Sequence, residues 1–117
     1  MKTHPSPCPI AGALDIFGDR WTLLVVRDLF GGRSHFKDFL ASPEGISTAV
    51  LANRLQHLLD AGVIRQVPSA QVPGKQRYEL TRSGRELYPV LKAAAEWAEA
   101  HVPGRRRLLD LETRIQT

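Results

Sequence analysis

The chain has 117 residues, 43% of them hydrophobic, and its 16 Lys and Arg against 12 Asp and Glu give a formal net charge of +4. This length and composition suit one domain with a buried core and exclude a disordered tail. A single cysteine excludes an internal disulfide, and the longest strongly apolar run, residues 21–26, is far short of the roughly 20 residues of a membrane span. We expect a soluble, cytoplasmic protein with no membrane partner, and the basic charge favours nucleic acid as its partner.

The first part of the chain predicts an arm and two helices. Residues 1–7 contain two prolines and are expected to form a flexible N-terminal arm. Pro9 is typical of a first helical residue, and apolar residues at helical spacing follow it until Gly18, which predicts the end of this helix. Asp19 can cap a second helix over residues 20–29, whose mostly apolar surface predicts the buried centre of the domain.

Two more helices are predicted after a glycine turn at residues 31–33. Ser34 is a candidate N-cap for a short third helix. Ser47 is a candidate N-cap for a fourth helix over residues 48–61, and Gly62 is expected to close that helix.

The apolar spacing then changes from helical to alternating. This change predicts a β-hairpin with strands near residues 63–67 and 78–80 and a long loop between them. Thr81 can cap a last long helix, and Pro89 inside that helix predicts a kink or a short break. The order of elements predicts a mainly α winged helix-turn-helix domain over residues 8–102.

The fourth predicted helix has one apolar face and one polar, nearly uncharged face. The polar face carries Asn53, Gln56 and His57 by helical spacing, and amide side chains can bond bidentately to the edge of adenine. Ser47 and Thr48 lie at the helix start, where hydroxyls and free backbone N–H groups suit a phosphate. An ordinary solvated face is the alternative, and the hairpin that follows favours DNA recognition over it.

Basic residues concentrate in the same half of the chain. Residues 33–85 hold eight basic and four acidic side chains, so the whole net charge of +4 lies there. Lys75 and Arg77 flank the hairpin loop, and such a wing can follow the minor groove or the phosphates; an exposed turn that is merely basic is the alternative. The predicted DNA-binding residues are Arg33, Ser34, Ser47, Thr48, Asn53, Arg54, Gln56, His57, Lys75 and Arg77.

An apolar stripe at helical spacing in the last helix predicts a homodimer interface. The alternative is that the stripe packs inside one subunit. The stripe comprises Leu87, Leu91, Ala94, Trp97 and Ala98.

Catalytic chemistry is not expected. The four histidines are scattered without metal-ligand spacing, and no nucleophile-elbow, dinucleotide or P-loop motif occurs in the sequence. We expect no enzyme activity, no catalytic residue, no cofactor and no metal.

Cys8 is the one residue with reactive potential. It stands at a helix start, where the helix dipole and free N–H groups favour a thiolate, so it is a candidate sensor of an oxidant or other small-molecule effector. A small, partly buried structural thiol is the alternative. A thiol peroxidase would need a neighbouring base or a second thiol, and the chain has no second cysteine.

Several short motifs occur in order along the chain, and they are Cys8-Pro9-Ile10, Gly18-Asp19-Arg20-Trp21-Thr22, Arg27-Asp28-Leu29, Arg33-Ser34-His35-Phe36, Gly45-Ile46-Ser47, Leu51-Ala52-Asn53-Arg54-Leu55, Leu59-Asp60-Ala61-Gly62-Val63-Ile64, Tyr78-Glu79-Leu80-Thr81-Arg82-Ser83-Gly84 and Pro89-Val90-Leu91, with Trp97 beyond. Together these motifs resemble the HxlR family of bacterial regulators, from Cys8 to about Glu99. The resemblance implies a winged-helix fold, cytoplasmic dimers built by the first and last helices, control of transcription at nearby promoters and, in some members, sensing by the cysteine that matches Cys8. Ala52 stands where the family commonly has Ser, and the basic tail at residues 103–117 lies outside the pattern.

From sequence we therefore expect a homodimeric regulator, more readily a repressor than an activator, that binds a double-stranded DNA operator. The alternative is a winged helix used for protein contacts without DNA. An apolar or acidic outer face on the fourth helix would mark that alternative, and the sequence shows neither.

Overall fold

The computed structural model describes residues 3–106 of the chain. Within these residues four helices precede a two-stranded antiparallel sheet, and two more helices follow it. This order confirms the predicted mainly helical fold with one hairpin. The elements are α1 (Pro9–Phe17), α2 (Thr22–Phe30), α3 (Phe36–Leu40), α4 (Thr48–Asp60), β1 (Ile64–Pro68), β2 (Gln76–Leu80), α5 (Arg82–Arg85) and α6 (Tyr88–His101).

Helix α1 has the predicted bounds but contributes no buried residue. Its Ile10 and Leu14 side chains are 71% and 45% exposed. The backbone N–H of His4 donates to both carboxylate oxygens of Asp15, at 3.0 and 3.2 Å, which connects the N-terminal arm to α1. The flexibility of residues 1–7 stays a prediction.

Helix α2 forms the centre of the core, as its apolar surface predicts. Asp19 accepts hydrogen bonds from the backbone N–H groups of Trp21 and Thr22, at 2.8 and 2.9 Å, and so holds the first turn of α2. The core lies between α2, α3, α4, the hairpin and the start of α6. Its buried apolar side chains are Val25, Val26, Phe39, Ile46, Leu51, Leu55, Leu58, Val63, Ile64 and Leu91.

The prediction that Ser34 caps α3 is wrong by one residue. His35 is the N-cap, and the Asp38 carboxylate in the first turn accepts a hydrogen bond from the backbone N–H of His35 at 3.0 Å. The backbone carbonyl of Ser34 instead accepts a hydrogen bond from the N–H of Tyr78 at 2.8 Å. This contact with β2 holds Ser34 outside the helix.

Helix α4 begins as predicted and ends at Asp60, one residue earlier than predicted. The hydroxyl of Ser47 accepts a hydrogen bond from the backbone N–H of Val50 at 3.2 Å, which is the expected N-cap bond. Gly62 has a φ of +74°, so it adopts the left-handed conformation that ends a helix without a Cβ penalty.

The hairpin register places Ile64 opposite Leu80 and Pro68 opposite Gln76. Residues 69–75 connect the two strands as the wing loop. The predicted single last helix divides into α5 and α6, and the break lies at residues 86–87, just before Pro89, which is in the first turn of α6.

The basic tail lies only partly inside the described residues. Arg105 and Arg106 are exposed. The rest of the predicted tail, including Arg107, lies outside the described residues. Within residues 3–106 no helix is long and apolar enough to cross a membrane.

Candidate nucleic-acid interface

The outer face of α4 is polar and exposed. The amide of Asn53 accepts a hydrogen bond from Arg54 Nη1 at 2.7 Å, and the amide of Gln56 donates to Asp60 Oδ1 at 2.9 Å. Both bonds lie at the surface, where water or a base edge can replace them. The exposed residues of this face are Ser47, Thr48, Ala49, Ala52, Asn53, Gln56 and Asp60.

The Nε atom of Arg54 and the ring of His57 lie on the inner side of α4, whereas Arg54 Nη1 reaches the surface at Asn53. Helical spacing placed His57 on the outer face, but the structure half-buries its ring against α1, where Nε2 lies 2.9 Å from the backbone oxygen of Ile16. Arg54 Nε lies 3.0 Å from Asp19 Oδ1, and 20% of the arginine side chain is exposed. The tertiary fold therefore covers two of the predicted DNA-binding residues with the junction between α1 and α2.

The Asp19 carboxylate is held in its ionised form. Burial raises the pKa of Asp19, but hydrogen bonds from Thr22 and Trp21 and the charge of Arg54 together lower it below its ordinary value of 3.8. Asp19 therefore keeps its charge beside Arg54 throughout the neutral pH range.

The wing loop is ordered by its own hydrogen bonds. The Ser69 hydroxyl accepts from the backbone N–H groups of Gln71 and Val72, at 3.2 and 3.0 Å. The same hydroxyl lies 2.7 Å from His35 Nε2, which ties the wing to the start of α3. Lys75 is exposed at the end of the loop.

Arg77 and Arg33 differ from Lys75 because both have partners within the protomer. Arg77 is 31% exposed and lies 3.3 Å from the carboxylate of Glu79. Arg33 donates to the backbone oxygen of Asp38 at 3.0 Å and to the hydroxyl of Ser42 at 2.9 Å. These hydrogen bonds of Arg33 stabilise the end of α3.

An ion-pair cluster that the sequence does not indicate connects the end of α2 with the turn between α3 and α4. Arg27 donates to both carboxylate oxygens of Glu44, at 2.7 and 2.8 Å, and to Asp28. The hydroxyl of Ser42 donates to the buried Asp28 carboxylate. The bond to Arg27 lowers the pKa of Glu44 below its ordinary value of 4.5. Partners 17 residues apart leave no local sequence signal.

The predicted dimer stripe divides between the core and the surface. Leu91 is buried in the protomer core and Leu87 packs against that core. The start of α6 also contacts the end of α2, where the ring centroids of Tyr88 and Phe30 lie 6.1 Å apart. Ala98 is half-buried, whereas Ala94 is exposed and Trp97 is 64% exposed. Only the second half of the stripe is available to another subunit.

Cys8 is exposed and is the N-cap residue of α1. The backbone N–H groups of Ala11 and Ile10 stabilise its thiolate and lower the pKa of the Cys8 thiol. Within residues 3–106 no cluster of His, Cys, Asp and Glu could hold a metal ion.

The fold and this site define a winged helix-turn-helix domain. α3 and α4 are joined by a short turn, and the hairpin with its wing loop follows α4 directly. A family model for HxlR-like helix-turn-helix domains matches residues 16–106. The chain belongs to the HxlR-like helix-turn-helix family, as the sequence motifs predict.

Three similar proteins show the extent of this likeness. The HTH-type transcriptional regulator Rv3095 of Mycobacterium tuberculosis is 34% identical over 94 residues, which cover 80% of this chain and 59% of Rv3095. The crystal structure of PA1607 superposes with a TM-score of 0.80 at 38% identity, covering 89% of this chain and 73% of PA1607. The oxidised form of the redox regulator HypR gives a TM-score of 0.72 at 29% identity, covering 86% of this chain and all of HypR.

Proposed function

We propose that this protein is a sequence-specific DNA-binding transcriptional regulator, that it acts as a homodimeric repressor, and that it works in the cytoplasm. The exposed polar face of α4 beside the wing is the observation that carries the proposal. Asn53 and Gln56 would read base edges in the major groove, while Ser47 and Thr48 would meet a phosphate at the start of α4.

The wing would supply contacts to the DNA backbone. Lys75 is exposed at the end of the wing loop. Arg77 is paired with Glu79 at the hairpin surface and could exchange this partner for a phosphate. A twofold dimer would bind a roughly palindromic operator with half-sites about 34–36 Å apart, and occupancy alone would block polymerase.

DNA selected from a random pool should yield a preferred operator, and variants should divide into two groups. Asn53→Ala and Gln56→Ala should each lower the difference in binding free energy between the preferred base and other bases by ~1–3 kcal/mol, because each removes a bidentate contact. Lys75→Ala should weaken binding to all sequences alike and make the slope of log K against log salt shallower by about 0.9. Binding measured by fluorescence anisotropy at several salt concentrations checks both.

Arg82→Ala is the matched control for the loss of charge, since Arg82 is 88% exposed on α5 and pairs with Glu86. It should leave operator binding unchanged. An unaltered base preference in both α4 variants would refute the base-reading assignment. A wild-type protein that selects no DNA would favour the alternative, a winged helix used for protein contacts.

We also propose that Cys8 makes the regulator responsive to oxidants and electrophiles. The exposed thiol and its lowered pKa support this, and HypR, a similar protein, is a redox regulator. A Cys8 thiolate would add to a quinone ring carbon, forming a C–S bond, while the displaced electron pair moves to the quinone oxygens and is protonated. With diamide, two thiols would form a disulfide and pass two electrons and two protons to the N=N bond.

Diamide or a quinone should therefore change the DNA affinity of the wild type and leave Cys8→Ser unchanged. Because the chain has one cysteine, the disulfide must join two subunits or a small thiol. Anisotropy with and without oxidant, on both proteins in parallel, measures this. Equal affinity in all four samples would make Cys8 a thiol without a signalling role.

A further inference from the structure

Two polar side chains of α4 contact the same short stretch of chain. Arg54 and His57 are three residues apart, so they lie on one side of the helix. Arg54 Nε lies 3.0 Å from Asp19 Oδ1, and His57 Nε2 lies 2.9 Å from the oxygen of Ile16. Both partners belong to the junction where α1 ends and α2 begins.

The junction holds each partner firmly. The Asp19 carboxylate accepts from the backbone N–H groups of Trp21 and Thr22 and from the Thr22 hydroxyl, and Thr22 is fully buried. Asp19 is therefore fixed to the start of the central helix. The Arg54 and Asp19 side chains are only 20% and 15% exposed, which reduces screening of the pair by solvent.

The contact of His57 satisfies a helix terminus. The Ile16 carbonyl belongs to the last turn of α1, where carbonyl groups have no partner within the helix. The His57 ring supplies that partner from α4. The same side chain thus joins α1 to the helix that carries Asn53 and Gln56.

The apolar contacts of α4 are not directional. Leu51, Leu55 and Leu58 bury the helix in the core, but the hydrophobic effect that drives this burial does not specify where the polar side chains of α4 point. Bidentate recognition of a base edge, in contrast, requires side chains to be held within roughly 0.5 Å and 10–20°. The hydrogen bond of His57 to Ile16 and the ion pair of Arg54 with Asp19 add specific contacts on the inner side of α4 that favour one orientation of the helix.

We infer that Arg54 and His57 are positioning residues that set the rotation of α4 against the α1–α2 junction, and that base preference depends on them without their touching DNA. This inference rests on the proposed DNA-binding function. Under this inference Arg54 does not contact a DNA phosphate. A positioning residue should leave the salt dependence of DNA affinity unchanged when it is replaced, whereas loss of a phosphate contact should make that dependence shallower.

Operator preference and salt slope should be measured together on Arg54→Gln, Asp19→Asn and the double variant. Each single variant should lower the ratio of operator to random-DNA affinity by at least about fivefold, comparable to loss of one base contact. Arg54 Nη1 also donates to Asn53 Oδ1 at 2.7 Å, so Arg54→Gln removes one contact more than Asp19→Asn does. The double variant should lose little more than Arg54→Gln alone, because both variants remove the contact between Arg54 and Asp19. The salt slope should stay at the wild-type value in all three.

His57 provides a second pair of variants in case Asp19→Asn unfolds α2. His57→Gln keeps an N–H donor and should retain much of the base preference, whereas His57→Leu should lose it. Circular dichroism and urea unfolding establish that each tested variant is folded.

A salt slope about 0.9 shallower in Arg54→Gln, with Asp19→Asn unaffected, would make Arg54 a phosphate contact and overturn the inference. Folded variants that keep wild-type base preference would overturn it as well. A wild type that binds no DNA would instead overturn the proposed function, and the inference with it.

Discussion

Trp97→Asp is expected to convert the protein into a monomer and to lower operator affinity by at least about 100-fold. Trp97 is 64% exposed in the protomer, and the exposed Ile10 and Leu14 on α1 form a second apolar surface. A large aromatic side chain buried between subunits stabilises a complex by ~2 kcal/mol or more. An aspartate there would have to lose its hydration without a partner.

The expected loss of operator affinity would follow from the loss of the proposed dimer. In a dimer, binding of one half-site brings the second recognition helix close to the other half-site, whereas a monomer must bind each half-site separately. Sedimentation at tens of micromolar and operator binding by anisotropy test both parts.

Trp97→Phe is the matched control, because it keeps an apolar ring at the same position and should remain a dimer. The monomeric variant should stay folded, since Trp97 contributes little to the protomer core. A wild-type monomer at these concentrations, or an unchanged dimer in Trp97→Asp, would rule out an interface built on α6.

Gly84→Ala is expected to lower the free energy of unfolding by about 1–3 kcal/mol. Gly84 is buried in α5, and a Cβ there would lie 2.2 Å from the backbone oxygen of Val63 and 2.9 Å from Leu80 Cδ2. The Val63 oxygen already accepts from the backbone N–H and the hydroxyl of Thr81, at 3.0 Å each. Moving that oxygen would disturb the bonds that join α5 to the start of the hairpin.

Gly12→Ala is the control for the effect of adding a methyl group to a glycine within a helix. Gly12 lies inside α1 with no atom within 4 Å of the added Cβ, so alanine should be neutral or stabilise the helix by about 0.5–1 kcal/mol. Urea unfolding of both variants measures the difference. A Gly84→Ala protein within about 0.5 kcal/mol of the wild type would show that Val63 and α5 can separate at no cost.

Local signals in the sequence were enough to predict the order of the first four helices and the hairpin and the start of α1 and of α4. The predicted second helix over residues 20–29 is Thr22–Phe30 in the structure, and the strands differ from the prediction by one or two residues at their ends. Pro9 at a helix start, Ser47 as an N-cap and Gly62 after α4 each act within a turn of the backbone, so neighbouring residues specify them. Helical and alternating apolar spacing likewise identified the buried face of α4 and the hairpin. The family motifs pointed to the same fold.

Sequence patterns were therefore sufficient to predict the winged-helix fold, the family and a polar face on α4 that carries Asn53 and Gln56. The orientation of the other polar side chains of α4 depends on packing between distant segments of the chain. Arg54 and His57 are residue types that commonly contact DNA, so the sequence predicts them as DNA contacts. Their partners in the fold, Asp19 for Arg54 and Ile16 for His57, lie 35 and 41 residues away in the sequence and hold the Arg54 Nε atom and the His57 ring inward. The spacing of residues along one helix predicts which side of the helix each side chain occupies. Which side is then covered by another segment depends on long-range packing, which this spacing does not reveal.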